Sequence, residues 1–254
     1  MSRRVLITGM SGLIGGLLKD HLTESGGYEL TALNRRPVDG IRSVQADISD
    51  LDAIQPAFEG QEVVVHLAAY LGSQDWEGQH AGNVVGTYNV FEASRRAGVK
   101  RVIFASSGNA IRGFEFVPPY SHIAAGEYDK VPSDFRKLTH LDVRPEALYG
   151  AAKIWGEALA RHFSDDYGMS MICVRIGSVT SENRPRTIRE NAIYLSHRDV
   201  ATHLKACIDA PEDLKCDTFF AVSNNRWNYR DLSHPKEVLG WEPQDTADDR
   251  LFTG

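Results

Sequence analysis

The chain opens on a strand that runs straight into a glycine-spaced turn and then a helix, and no other segment constrains its fold as tightly. Val5-Leu6-Ile7-Thr8 is a short apolar run bounded by charge before and glycine after, the pattern of a buried parallel strand. Gly9, Gly12 and Gly15 follow at three-residue spacing, with Ser11, Leu13 and Ile14 between them. Leu13, Leu17, Leu18 and Leu22 then carry a helical period up to the Gly26-Gly27 stop. Glycines where a strand becomes a helix let the backbone approach a pyrophosphate, and the helix N-terminus supplies N–H groups and a positive dipole end. The same triplet also makes a tight turn with close helix–strand packing, so two uses are open at this point.

Further strands are expected over 28–33, 43–46, 63–67, 101–105, 171–176 and 218–222, with helices over 83–97, from about 147, and over 198–210. Strands alternating with helices predict an α/β fold, one doubly wound parallel sheet with helices on both faces. No linker or repeat divides the chain, so residues 1–254 are expected to form a single nucleotide-binding domain with a small C-terminal substrate-binding portion. In this topology ligands bind outside the carboxyl ends of the strands. Those ends read Asn34-Arg35-Arg36, Asp47-Ile48, Leu67-Ala68-Ala69, Ala105-Ser106-Ser107-Gly108-Asn109 and Ile176-Gly177-Ser178. An acid at the second strand end normally holds the ribose hydroxyls of NAD. Asn34 replaces it, and the guanidinium groups of Arg35 and Arg36 suit a 2′-phosphate, so NADP is expected ahead of NAD. An arginine pair on a turn is also common as a solvated feature. His66 is expected to be a packed strand residue, neither ligand nor base.

Tyr149 and Lys153 are four residues apart on a proline-free stretch, so on a helix they lie on one face. A phenol has a pKa near 10, and a lysine ammonium fixed beside it favours the phenolate, which can take a proton from an alcohol. That is acid–base chemistry without a metal, a thiol or a carboxylate. Ser107 sits at the end of the preceding strand, where its hydroxyl can hold a substrate oxygen. Between them, residues 108–144 are long, hold three prolines and show no period. Such a loop in a compact domain is usually functional, and it is expected to be a lid or wall of the substrate pocket, as is the loop over 177–197.

The remaining composition excludes several classes. A formal net charge of −6 disfavours general binding to nucleic acid or anionic membranes. The three cysteines show no metal-ligand spacing and are expected to be buried thiols in a reducing compartment. No apolar run has membrane-spanning length, and Met1 leads within four residues into a strand, so a soluble cytoplasmic protein is expected.

Taken jointly, Thr8-Gly9-x-x-Gly12-x-x-Gly15, Asp47, His66-Leu67-Ala68-Ala69, Asn83-x-x-Gly86-Thr87-x-Asn89, Ser106-Ser107 and Tyr149-x-x-x-Lys153 resemble the extended short-chain dehydrogenases/reductases, of Rossmann fold. The resemblance implies that Asp47 and Ile48 meet the adenine and that Lys153 also bridges the nicotinamide ribose. Ser107 would orient the substrate oxygen, and Asn83 would support the lysine through the helix backbone or a water. It also implies a homodimer or higher homo-oligomer through the Asn83 and Tyr149 helices.

Phe104-Ala105-Ser106-Ser107, Leu148-Tyr149-Gly150, Val174-Arg175-Ile176-Gly177-Ser178, Leu195-Ser196-His197-Arg198-Asp199 and the Leu239-Gly240-Trp241 tail are similar to the short sugar C1 dehydrogenases, acting on uronates, hexose phosphates or pentoses. Those enzymes usually continue the double serine with Asn-His, where this chain has Gly108-Asn109. Counting back from Ser196-His197, Arg189 falls where the uronate enzyme holds its substrate carboxylate. Ser106, Ser107, Gly108, Asn109, Ser178 and Arg189 are therefore the expected substrate contacts. Oxidation of an acidic or phosphorylated sugar at C1 to a lactone is the expected reaction. Nucleotide-sugar epimerisation is the alternative, disfavoured by the 101 residues that follow Lys153. A non-catalytic nicotinamide sensor is a third reading, disfavoured by the complete Tyr/Lys pair.

Overall fold

A computed structural model describes residues 2–253. Seven parallel strands form the sheet: β1 (Arg3–Thr8), β2 (Tyr28–Asn34), β3 (Arg42–Gln45), β4 (Val63–His66), β5 (Arg101–Ser107), β6 (Ser170–Ile176) and β7 (Cys216–Ala221). Their order is β3-β2-β1-β4-β5-β6-β7, the doubly wound Rossmann topology, and it reverses between β1 and β4. The helices are α1 (Leu13–Ser25), α2 (Leu51–Ile54), α3 (Trp76–Gly78), α4 (Gly86–Arg96), α5 (Tyr120–Ala125), α6 (Ala147–Tyr167), α7 (Glu190–Ile193), α8 (His197–Asp209) and α9 (Ser233–Leu239). None of them is long and apolar enough to cross a membrane.

Both faces of the central strands are buried, which is why β1, β4, β5 and β6 read as continuous apolar runs. On one face Leu18 and Leu22 of α1 and Val200 and Leu204 of α8 pack on Val5, Ile7, Ile103 and Val174. On the other, Phe91 of α4 meets both Phe104 of β5 and Phe163 of α6 edge to face, with ring centroids 5.7 Å apart in each pair. Truncating one such buried phenylalanine to alanine costs about 3–5 kcal/mol. The three cysteines are free thiols, two of them buried.

Two segments depart from the sequence expectation. The expected helix over 83–97 is a π-helical turn, Gln79–Val85, running into α4, on which Tyr88 is 45% exposed. Residues 108–144 are not one irregular loop: they contain two 3-10 turns, α5, and a third 3-10 turn at Tyr128–Lys130. Ile111, Tyr120, Ile123 and Leu138 from this segment pack with Ile193, Phe220 and Tyr229 into a separate apolar cluster. A backbone bridge between Leu138 and Arg230 ties it to the C-terminal part.

Candidate active site

The β1–α1 turn lies at the reversal of strand order and opens into a cleft of about 570 Å³ lined by Gly9, Ser11, Gly12, Asn34, Arg35, Arg36, Asp47, Ile48 and Leu67–Ala69. Gly9 has φ +72°, and a Cβ there would stand 2.8 Å from the Ala68 nitrogen. A Cβ on Gly15 would lie 2.5 Å from the Gly9 oxygen, so this third glycine serves close packing of helix on turn. Gly12 precedes α1, and no side chain caps that helix, whose first residues are Leu13 and Ile14. Its N-terminal N–H groups are therefore open to an anion. Asn34 is 7% exposed; its Oδ1 accepts from the Ser11 nitrogen at 3.5 Å, and its Nδ2 has no partner. A glycine cradle, an uncapped helix and an orphaned amide donor fit the pyrophosphate and ribose of a dinucleotide. Arg35 and Arg36 are exposed beside it. Asp47 accepts from the Ser49 backbone and hydroxyl at 2.9 and 2.8 Å, which holds its carboxyl below the usual range.

His66, at the end of β4, is fully buried between Thr8 (2.8 Å) and Thr87 (3.4 Å), and burial pushes its pKa down to about 3. It is a neutral packing residue. Asn83 lies on the π-helical turn, a distortion frequent at functional sites. Its amide brackets Tyr70, accepting from the Tyr70 nitrogen at 2.9 Å and donating to the Tyr70 oxygen at 2.7 Å. The side chain thus shapes the loop after Ala69, and no hydrogen bond joins it to Lys153 among the described residues.

The chemistry gathers at the end of β5 against the first turns of α6. The Tyr149 nitrogen, at the open end of that helix, donates to the Ser73 oxygen at 3.3 Å. Burial raises the Tyr149 phenol above the usual value, and a hydrogen bond with the Ser107 side chain offsets this only in part. Lys153 is buried one turn on; its ammonium lies 5.5 Å from the Tyr149 ring centre and donates to the Ala105 oxygen at 2.8 Å. Burial lowers its pKa to about 8. Burial, offset in part by Ser107, is what raises the Tyr149 phenol.

Ser106, expected as a substrate contact, turns away from the pocket. Successive side chains on a strand point to opposite faces. Ser107 faces Tyr149, whereas Ser106 is 3% exposed beneath the site and donates to Glu157 at 2.5 Å. Glu157 in turn receives Arg175 through Nε at 2.9 Å and Nη2 at 2.8 Å. Ser106 is a structural residue that ties β5 to α6. The Asn109 nitrogen donates to the Ser107 hydroxyl at 3.1 Å. Ile176 ends β6 opposite Ser107. Ser178 donates to Glu190 at 2.9 Å, so its hydroxyl is engaged inside the protein.

Arg189 is also engaged. Its Nε and Nη2 donate to the two Glu115 oxygens at 2.5 and 2.9 Å, and the buried Tyr229 hydroxyl donates to the same carboxylate. Sequence reading missed Arg230, which is 1% exposed with its Nη2 3.1 Å from where a Cβ on Gly108 would stand. Nothing in the linear pattern marks it, because the Leu138 bridge delivers it to the site. Away from the site, His140, Asp217 and His234 come within metal-ligand reach of one another. The two imidazoles stack at 4.1 Å, so their in-plane lone pairs converge poorly on one ion.

Residues 5–206 match the NAD dependent epimerase/dehydratase family. The chain is 30% identical to the NAD-dependent glucose-6-phosphate dehydrogenase of Haloferax volcanii, covering 100% of this chain and 98% of the relative. It is 32% identical to the uronate dehydrogenase of Agrobacterium fabrum, covering 97% and 86%. The crystal structure of a mutant Agrobacterium tumefaciens uronate dehydrogenase complexed with NAD superimposes with a TM-score of 0.81 at 31% identity, covering 98% of this chain and 87% of that one.

Proposed function

Because the chain belongs to the NAD dependent epimerase/dehydratase family, we propose that it is an NAD(P)-dependent sugar dehydrogenase that oxidises the C1 hydroxyl of an acidic or phosphorylated sugar to a lactone. The observation that carries this reading is the meeting of Ser107, Tyr149 and Lys153 at the carboxyl end of β5, on the same edge of the sheet as the glycine-turn cleft. Relatives of matching length that are sugar dehydrogenases support it over the epimerase and sensor readings.

The glycine turn, Asn34, Asp47, Ile48 and the Leu67–Ala69 strand end hold the dinucleotide, whose nicotinamide supplies the hydride acceptor. Ser107 holds the C1 oxygen by hydrogen bonding and shares its hydroxyl with the Tyr149 phenol. Tyr149 takes the hydroxyl proton as the C–H bond breaks. Lys153 keeps a cation 5.5 Å from the ring centre, where it stabilises the phenolate that is to accept the proton. Segments 108–144 and 177–197 wall the substrate pocket within the one domain, and Asn83 positions the Tyr70 loop at its mouth. NADP is the preferred cofactor, because Arg35 and Arg36 flank the Asn34 amide where an acid would repel a 2′-phosphate. A homodimer forms through the α4 and α6 faces, where Tyr88 and Tyr167 stand exposed.

The test is reduced-nicotinamide absorbance with NAD⁺ and NADP⁺, each offered uronates, hexose phosphates, free aldoses and nucleotide-sugars. Turnover of an acidic or phosphorylated sugar, lost in Tyr149→Phe, is expected. Cofactor release without any net reduction across the panel overturns the reading.

A further inference from the structure

The helix that carries Tyr149 begins on a strained residue. Ala147, the first residue of α6, has φ +60°, the left-handed region that L side chains enter at a cost. Such a conformation persists only where its surroundings hold it in place. Upstream, the Glu146 nitrogen donates to the Asn109 oxygen at 3.2 Å, and the Glu146 carboxylate is tied to Arg112 at 3.1 Å. Downstream, the Tyr149 nitrogen donates to the Ser73 oxygen at 3.3 Å. Glu146 is the N-cap residue and makes no side-chain cap, so the Ser73 carbonyl supplies one from another segment.

Two buried amides fix the loop to which Ser73 belongs. Gln79 and Asn83, 1% and 2% exposed, lie four residues apart on the π-helical turn. Gln79 Nε2 donates to the Gly72 oxygen and, at 3.4 Å, to the Tyr70 oxygen. Its Oε1 accepts from Asn83 Nδ2 at 2.6 Å, and Asn83 makes its other bonds to the Tyr70 backbone. Every donor of the pair is engaged, so the network is closed and holds one register. The Gly72 carbonyl that Gln79 grips immediately precedes the carbonyl that caps α6. From this closed network, the Ser73 cap and the strained Ala147, we infer that Gln79 is a positioning residue, which holds Tyr149 against Ser107 by way of the loop.

The inference rests on the sugar dehydrogenase reading and adds to it a residue that touches none of the reacting groups. Without the Gln79 donors Gly72 is released, the Ser73 carbonyl leaves the Tyr149 nitrogen, and Ala147 relaxes out of the left-handed region. The first turn of α6 then frays, and Tyr149, its third residue, loses its hydrogen bond with Ser107. Misplacing a reacting group by an ångström costs up to about 10²-fold in rate. Asn83 still brackets Tyr70, which lines the dinucleotide cleft, so cofactor binding is retained. Glycine at position 147 adopts a left-handed φ without the cost that alanine bears, so Ala147→Gly opposes the same relaxation.

The test compares the wild type, Gln79→Met, Ala147→Gly and the double variant by steady-state turnover and by residue-resolved amide hydrogen exchange. In the wild type the Tyr149 amide is expected to exchange at least about tenfold more slowly than those of Ala147 and Leu148, which have no partner among the described residues. Gln79→Met is expected to remove that protection and to lower kcat about 10- to 100-fold, with the cofactor KM within about threefold of the wild type. Ala147→Gly alone is expected to keep kcat, and in the double variant to recover it about fivefold. Should Gln79→Met not fold, Gln79→Asn, one methylene short of Gly72, takes its place with the same expectations. A wild-type Tyr149 amide that exchanges as fast as its two neighbours overturns the inference without any variant. So does a folded Gln79 variant that keeps kcat or the protection, or a kcat loss that Ala147→Gly does not relieve. Gln79-dependent protection in a protein that turns over no sugar would sink the dehydrogenase reading alone; turnover indifferent to Gln79 would sink this inference alone.

Discussion

The Lys153 ammonium lies 5.5 Å from the centre of the Tyr149 ring, yet its hydrogen bond goes to the Ala105 oxygen on the neighbouring strand. It is a buried cation without a carboxylate partner, and burial brings its pKa from 10.5 to about 8. Between about pH 8 and 10.5 the unfolded chain holds a proton that the folded one has released, so stability rises with pH through that window. Below pH 8 the cost of the buried charge is fully present. Lys153→Met is therefore expected to be inactive but more stable than the wild type at pH 7, by on the order of 1–3 kcal/mol. The gain should fade towards pH 10. Urea unfolding of both proteins at the two pH values measures it; a variant equally destabilised at both would show that the Ala105 hydrogen bond outweighs the burial cost.

Tyr149 predicts a kinetic signature of the same origin and opposite sign. Its phenol is raised above the usual value by burial, so it is protonated at neutral pH. A base that is mostly protonated gains active form as pH rises. kcat/KM for sugar oxidation should therefore climb about tenfold per pH unit over pH 6.5–9 where proton transfer limits the rate. Tyr149→Phe should leave a flat profile about 10²- to 10⁴-fold lower. A wild-type profile without slope would remove Tyr149 as the proton acceptor.

What could be read in the chain beforehand follows from the range of each signal. The glycine turn and the Tyr149–Lys153 pair are local: strand, turn and helix period all fall within a few residues of the groups concerned. The apolar run predicts a strand that ends at Ala105, whereas β5 continues to Ser107. The strand's alternation therefore extends through the double serine and sends Ser106 inward. The apolar period predicts a regular helix at Asn83, and the π-helical turn that aims it at Tyr70 has no periodic signature. Arg189 was the legible arginine because it sits in an arginine-rich loop, but its occupant, Glu115, comes from a segment with no period of its own. Arg230 was invisible for the same reason: only tertiary contact with Leu138 and Gly108 brings it to the site.

The two serines can be separated by experiment. Ser107→Ala removes the hydroxyl that faces Tyr149 and is expected to lower kcat about 10- to 100-fold, with melting temperature nearly unchanged. Ser106→Ala leaves Glu157 one donor short in the interior and is expected to cost about 1–3 kcal/mol of stability while sparing kcat. Steady-state kinetics and thermal melts on the pair decide it. The reverse pattern would place Ser106 in the pocket after all.

The Glu157–Arg175 pair beneath Ser106 is the strongest ionic link between α6 and the sheet. Arg175 donates from Nε and Nη2 to the two Glu157 oxygens at 2.9 and 2.8 Å, and from Nη1 to the Asp142 oxygen at 2.8 Å. The arginine side chain is 2% exposed and the glutamate 11%, so neither charge is well hydrated. Breaking such a pair leaves the other charge uncompensated, at a cost of about 3–5 kcal/mol, whereas replacing both charges by apolar groups of similar volume is often close to neutral. Glu157→Ala is therefore expected to destabilise by that amount, and Glu157→Leu with Arg175→Met to recover most of it. The recovery should be incomplete, because Ser106 and the Asp142 carbonyl each lose a partner in the double variant. Chemical unfolding of the single and double variants gives the coupling energy directly. If Glu157→Ala costs less than about 1 kcal/mol, the pair behaves as a solvated one, and the anchoring of α6 must be assigned instead to the Phe104–Phe91–Phe163 packing.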